Sequence, residues 1–129
     1  MASIRNEVPM HASAAEVWDA LRDFGAVHQR LVPGFVTDCR LDGDARVVTF
    51  VNGLVARELL VDCNDATRRL AYAIVGGRAT FYGASVQVLE RDTNSSTLVW
   101  VIDLLPNELA PAISAMAAQG AAAMQKHFG

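Results

Sequence analysis

The period of the hydrophobic positions changes along the chain and divides it into elements. In "SIRNEVPM", Ile4 and Asn6 or Val8 alternate with Arg5 and Glu7, and Pro9 near the end suits an edge or terminal strand. The period then becomes helical. Ser13 followed by Glu16 is a capping box, and Val17, Trp18, Leu21 and Phe24 recur on one face, so "SAAEVWDALRDF" predicts an amphipathic helix that Gly25 can end. "AVHQRLVPG" predicts a short second helix closed by Pro33 and Gly34.

From Phe35 to Leu105 short apolar runs alternate with turn residues. "FVTDCRL", "ARVVTFV", "LVARELLVDC", "RLAYAIV", "TFYGASVQVLE" and "TLVWVIDLL" predict strands, separated by "DGD", Asn52-Gly53, "NDATR", Gly76-Gly77 and "RDTNSS". Asn52-Gly53, tolerant of positive φ, is the strongest hairpin signal. Such segments joined by tight turns predict a meandering antiparallel sheet. Pro106 ends it, and Asn107 is the expected cap of a long helix over "ELAPAISAMAAQGAAAMQKHF", with Pro111 in its first turn. Its inner stripe, Ile113, Ala117, Gly120 or Ala121, Met124 and Phe128, is mostly small.

The resulting architecture is α+β: a curved antiparallel seven-stranded sheet, two short helices, and a long C-terminal helix over the concave face. A twisted sheet of this size curls into a grip. A covering helix that presents Ala and Gly leaves a void beneath it, and that void is the expected pocket.

Composition fits one domain over residues 1–129. The chain has 129 residues, 52% hydrophobic and 19% charged, with a formal net charge of −3. Scattered Lys and Arg give no basic stripe, which argues against nucleic acid. The N-terminal stretch carries charges and a proline where a signal peptide needs an apolar core, and no run is apolar for long enough to insert in a membrane. A soluble, cytoplasmic protein is expected. Cys39 and Cys63 read as free thiols, and no metal set or cofactor motif is present; Gly76-Gly77 is a turn, not a phosphate loop.

The order of elements resembles the START-like, birch-pollen-allergen-like (SRPBCC) superfamily, whose bacterial members are called polyketide cyclase/dehydrase or lipid-transport proteins. "SAAEVWDALRDFGAVHQRLVP", "ARELLVDCNDATRRLAYAIVGG" and "YGASVQVLE" before "STLVWVIDLLP" carry the likeness, over nearly the whole chain. It implies the helix-grip fold, while the reaction is not fixed by fold. "FVNGLVARE" and "RLAYAIVGG" followed by "YGASV" are also similar to plant abscisic-acid receptors, although this chain is shorter at the gating turn and lacks its proline. That likeness implies that Glu58 matches an inward glutamate, Tyr72 and Ile74 inward apolar positions, and Tyr82 an inward tyrosine.

Strand parity bears on the same residues. In "VARELLVD", Ala56, Glu58 and Leu60 share one face and Arg57, Leu59 and Val61 the other; in "RLAYAIV", Tyr72 lies with Leu70 and Ile74. If Tyr72 faces the concave side, Glu58 on the adjacent strand does too, and Arg57 points to solvent. A carboxylate in an apolar cavity needs a partner or a raised pKa, and can hold a ligand or act as acid or base. The dull alternative pairs Glu58 with a neighbouring arginine near a strand edge. Tyr72 and Tyr82 offer hydroxyls that orient an oxygenated ring, or simply fill the core. Trp18 and Trp100 read as packing residues; His28, near the expected mouth, reads as a surface histidine that Asp23 could orient.

The expected function is binding of a small hydrophobic or aromatic molecule by Phe50, Glu58, Tyr72, Ile74, Tyr82, Ala121 and Met124. A polyketide aromatase/cyclase- or dehydratase-like enzyme with Glu58 as acid or base is the alternative, and a co-chaperone-like interaction domain with a solid grip the second.

Overall fold

The computed structural model describes residues 2–129. Strand β1 (Ala2–Met10) leads into helix α1 (Ala14–Arg22), a 3-10 turn (Phe24–Ala26) and helix α2 (Val27–Arg30). Strands β2 (Val36–Asp42), β3 (Ala45–Phe50), β4 (Val55–Asn64), β5 (Arg69–Val75), β6 (Phe81–Asp92) and β7 (Ser95–Leu105) follow, and helix α3 (Ala110–Phe128) ends the fold. The seven strands form one antiparallel sheet in the order β1-β7-β6-β5-β4-β3-β2. β1 is an edge strand, as its proline required.

Local chemistry explains most boundaries. Ser13 Oγ accepts the Glu16 N–H at 3.2 Å, the bond that starts α1; such caps contribute roughly 0.5–2 kcal/mol. Trp18, buried on the inner face of α1, donates Nε1–H to Asp65 in the β4–β5 turn at 2.9 Å. Arg22 donates to the same carboxylate oxygen, so one aspartate ties α1 to the far end of a hairpin.

Three local expectations need correction. α1 stops at Arg22, before Gly25; that glycine sits in the 3-10 turn because a Cβ there would come within 3.0 Å of Leu41 Cγ. Asn107 does not cap α3: a 3-10 turn (Asn107–Leu109) precedes it, the N-cap is Leu109, and no side chain caps the helix. The β3–β4 connection is a three-residue loop, Val51 to Gly53, closed by Phe50 N–H to Leu54 O and Gly53 N–H to Phe50 O, both 2.8 Å. Only Gly53, at φ 89°, takes the left-handed conformation, while Asn52 keeps a negative φ and accepts the Leu54 N–H on Oδ1. This is the turn-plus-glycine form of hairpin, not the two-residue one.

α3 packs chiefly on β1, at one side of the concave face. Ala117, Gly120 and Met124 are its buried positions. At Gly120 the fit is closest: an added Cβ would stand 3.1 Å from Trp100 Cζ3 and 3.2 Å from Phe35 Cε2. Because the helix leans toward β1 and shows small residues inward, space remains between it and the concave face.

Candidate ligand cavity

A cavity of about 330 Å³ lies between the concave face and α3. Its floor is the inner face of β3 to β7, its far wall comes from α1 and α2 through Leu21 and Val27, and its roof is α3. Exposed lining residues mark the mouth: Leu54 and Val55 after the β3–β4 loop, Val75 at the end of β5 with Gly76 to Arg78 beyond it, and Ala112 on α3. The lining is mainly apolar, as in small-molecule sites generally.

Phe50, Glu58, Tyr72, Ile74, Tyr82 and Met124 all line this cavity. Ala121 does not. At 100° per residue the face of α3 that meets the cavity runs through Ile113, Met116, Ala117 and Met124, which turns position 121 to the flank, where it is only partly buried. Trp100, read from sequence as packing alone, lines the cavity as well. His28 lies outside the lining, with Nδ1 buried and unpartnered.

Register explains why Glu58 faces inward. It pairs with Ile74 across β4–β5, and both share the inner face with Tyr72; the intervening Arg57 points outward, where Asp42 accepts from Nη1 at 2.6 Å. Across β3–β4, Glu58 pairs with Arg46. Arg46 Nε donates to Glu58 Oε1 at 2.8 Å, and both side chains are only 7% exposed. Arg46 Nη1 donates to the Phe24 carbonyl at 3.1 Å, and its guanidinium stacks 4.0 Å over the Phe24 ring. The arginine is therefore fixed on three sides, and Glu58 Oε2 receives no hydrogen bond among the described residues.

The two readings of Glu58 thus merge: it pairs with an arginine and it lines the cavity. Arg46 itself was missed. The signal was present in "ARVVTFV", a cation inside an apolar strand one hairpin away from Glu58, but it is usable only with the correct loop length.

The phenols of Tyr72 and Tyr82 sit beside this pair. Burial pushes the Tyr72 pKa well up, and Tyr82 and the Glu58 charge add to the rise while Arg46 opposes it. Tyr82 is raised for the same first reason, with Glu58 second. Both are neutral hydroxyls through the physiological range. Two hydroxyls, one carboxylate oxygen and an immobilised guanidinium in an apolar hollow can orient an oxygenated guest; they can also donate to, or take, a proton on it.

Among the described residues no three His, Cys, Asp or Glu side chains come together as a metal site. Cys39 and Cys63 are free thiols. No described helix is long and apolar enough to cross a membrane.

The architecture has many counterparts among solved structures. The protein XoxI from Bacillus cereus superposes with a TM-score of 0.89 at 23% identity, covering 99% of this chain and 96% of that one. A START superfamily protein from Mycobacterium smegmatis gives a TM-score of 0.78 at 14% identity, with 98% and 96% covered. Norcoclaurine synthase from Thalictrum flavum, a point mutant in complex with a transition-state analogue, gives 0.75 at 23% identity, with 97% and 92% covered. Such identities establish the shared helix-grip fold. No curated protein matches the chain in sequence. The family model described as polyketide cyclase/dehydrase and lipid transport matches residues 1–129, and with the hollow grip described above this chain belongs to that family.

Proposed function

We propose that the chain binds a small hydrophobic or aromatic molecule in the cavity between the sheet and α3. Phe50, Ile74 and Met124 would supply apolar contact, and Glu58, Tyr72 and Tyr82 orientation. The observation that carries the reading is the cavity of about 330 Å³, apolar in lining and open at one side. Burial of a guest there is favourable by ~25 cal/mol per Å² of apolar surface removed from water, and a few placed polar groups decide its pose. Native mass spectrometry of the purified protein, followed by titration with fluorescent apolar probes and aromatic polyketides, tests it. Saturable binding displaced by a second apolar ligand is expected, and no saturable binding by any of them sinks the reading.

The cyclase- or dehydratase-like reading keeps one specific support: among the described residues Glu58 Oε2 receives no hydrogen bond, and two neutral phenols lie in the same cavity. In that case Glu58 moves a proton and a tyrosine hydroxyl supports the developing enolate. Glu58→Gln would then abolish turnover while leaving ligand affinity near that of the parent. The co-chaperone-like alternative expects a solidly filled grip, so the cavity of about 330 Å³ favours the first reading over it.

A further inference from the structure

Arg46 and Glu58 make only one of the two bonds that an arginine and a carboxylate can share. On a guanidinium, Nε–H and one Nη2–H lie parallel along one edge, and a full fork sets both against the two oxygens of a carboxylate. Here the first rung alone is present: Nε donates to Oε1 at 2.8 Å, whereas Nη2 and Oε2 have no hydrogen-bond partner among the described residues. The arginine is not free to swing and close the second. Its Nη1 is held by the Phe24 carbonyl at 3.1 Å, and its plane lies 4.0 Å over the Phe24 ring.

Both open atoms belong to side chains that are only 7% exposed, yet neither atom is sealed. The unpartnered polar side-chain atoms shut inside the described fold are Asn6 Nδ2, His28 Nδ1 and Trp100 Nε1. What Nη2 and Oε2 meet is the cavity, which both residues line. Arg46 is the second residue of β3 and the mouth lies past the other end of that strand, so the open rung stands at the inner end of the hollow. Tyr72 and Tyr82 share the hollow, and neither makes a hydrogen bond to Oε2.

A donor and an acceptor left open side by side discriminate by chemistry. A hydroxyl accepts at its oxygen and donates its hydrogen, so a single group serves Nη2 and Oε2 together. A ketone or an ether serves Nη2 alone, and leaves Oε2 buried and unpaired once water is displaced. A carboxylate brings a second negative charge to Glu58, and an ammonium a second positive charge to Arg46. We propose that this half-closed fork reads the leading end of the guest, and that the guest is an alcohol or phenol whose neutral hydroxyl closes the missing rung. The inference rests on the cavity being a binding site.

Fluorescence titration with naphthalene, 2-naphthol, 2-methoxynaphthalene and 2-naphthoate, which share one skeleton, tests it. Naphthalene needs only the apolar hollow. For the unmodified protein, 2-naphthol should bind at least about tenfold more tightly than its methyl ether, the worth of one good hydrogen bond, and the carboxylate most weakly of the four. Glu58→Gln keeps a carbonyl to accept from Nε and turns the Oε2 position into a second donor, so the tenfold preference for the hydroxyl should be lost or reversed. Comparing the two proteins cancels the bulk of the added methyl group. Should the variant not fold, the order of the four probes on the unmodified protein decides alone.

Binding of 2-naphthol no tighter than that of the ether, or a preference that Glu58→Gln leaves intact, overturns the proposal; the binding function stands as long as any probe saturates the protein. If none of the four binds, both fall.

Discussion

Arg46 and Glu58 face each other across β3 and β4, and the 2.8 Å bond from Nε to Oε1 joins two side chains that solvent barely reaches. The pair lines a hollow, not a packed core, so its electrostatics matter to a guest as well as to the fold. Desolvating two charges is expensive, and their attraction offsets that only while both are present.

Removing one member should therefore do more harm than removing both. Arg46→Met is expected to cost about 3–5 kcal/mol, and Arg46→Met with Glu58→Leu much less. Arg57→Met, on the outer face of the same hairpin and 43% exposed, should cost under about 1 kcal/mol. Urea denaturation of the four proteins measures this, and equal losses in the single and double variants would contradict it.

Filling the hollow should separate stability from binding. Ile74→Trp adds bulk where space already exists, so the usual overpacking penalty of about 1–3 kcal/mol should be largely absent. Ligand affinity should fall at least about tenfold, which is about 1.4 kcal/mol. Calorimetry and a binding titration on one sample suffice; tight binding by the filled variant would place the ligand elsewhere.

Tyr72 and Tyr82 are the only tyrosines in the chain, which makes their titration visible. Both pKa values are raised, mainly by burial. A raised folded value means that this contribution to stability is complete below the ordinary phenol value of 10.0 and is lost as pH climbs toward the folded one. Phenolate absorbance should stay absent as pH passes that ordinary value and appear together with unfolding. A separate phenolate transition in the folded protein would argue that the hydroxyls are solvated.

Acid should act through the surface. Arg30 lowers the Asp19 pKa, first by its hydrogen bond and then by its charge, and Arg57 does the same to Asp42. With folded values below the ordinary 3.8, their contribution is present above that pH and lost as pH falls through the lower folded values. The double variant Asp19→Asn, Asp42→Asn should show a flatter decline of the urea midpoint from about pH 5 to pH 2. An unchanged slope would mean that these bridges are already screened by solvent.

The helices and the strand segments were legible because their signals are local: Ser13 with Glu16 starts α1, and parity divides Glu58 from Arg57. Arg46 was hidden by a slip of one residue. A two-residue Asn52-Gly53 loop would set Glu58 opposite Val47, whereas the three-residue loop sets it opposite Arg46. One added loop residue exchanges the faces of the partner strand, and no local propensity reports it. Ala121 falls outside the cavity lining, and the core residue Trp100 inside it, for a related reason. Both depend on where α3 leans, which packing against β1 decides and periodicity along α3 cannot.

The pairing of β1 with β7, Ala2 opposite Leu104 and Met10 opposite Ser96, also bears on biosynthesis. Within this domain β1 is made long before β7, its sheet partner among the described residues, so it stays unpaired until about residue 105 has been translated. At about 5–20 residues per second that is a wait of several seconds with Ile4, Val8 and Met10 uncovered. Nascent chains should depend on chaperone cover over β1 for longer than a fold with a local first hairpin would.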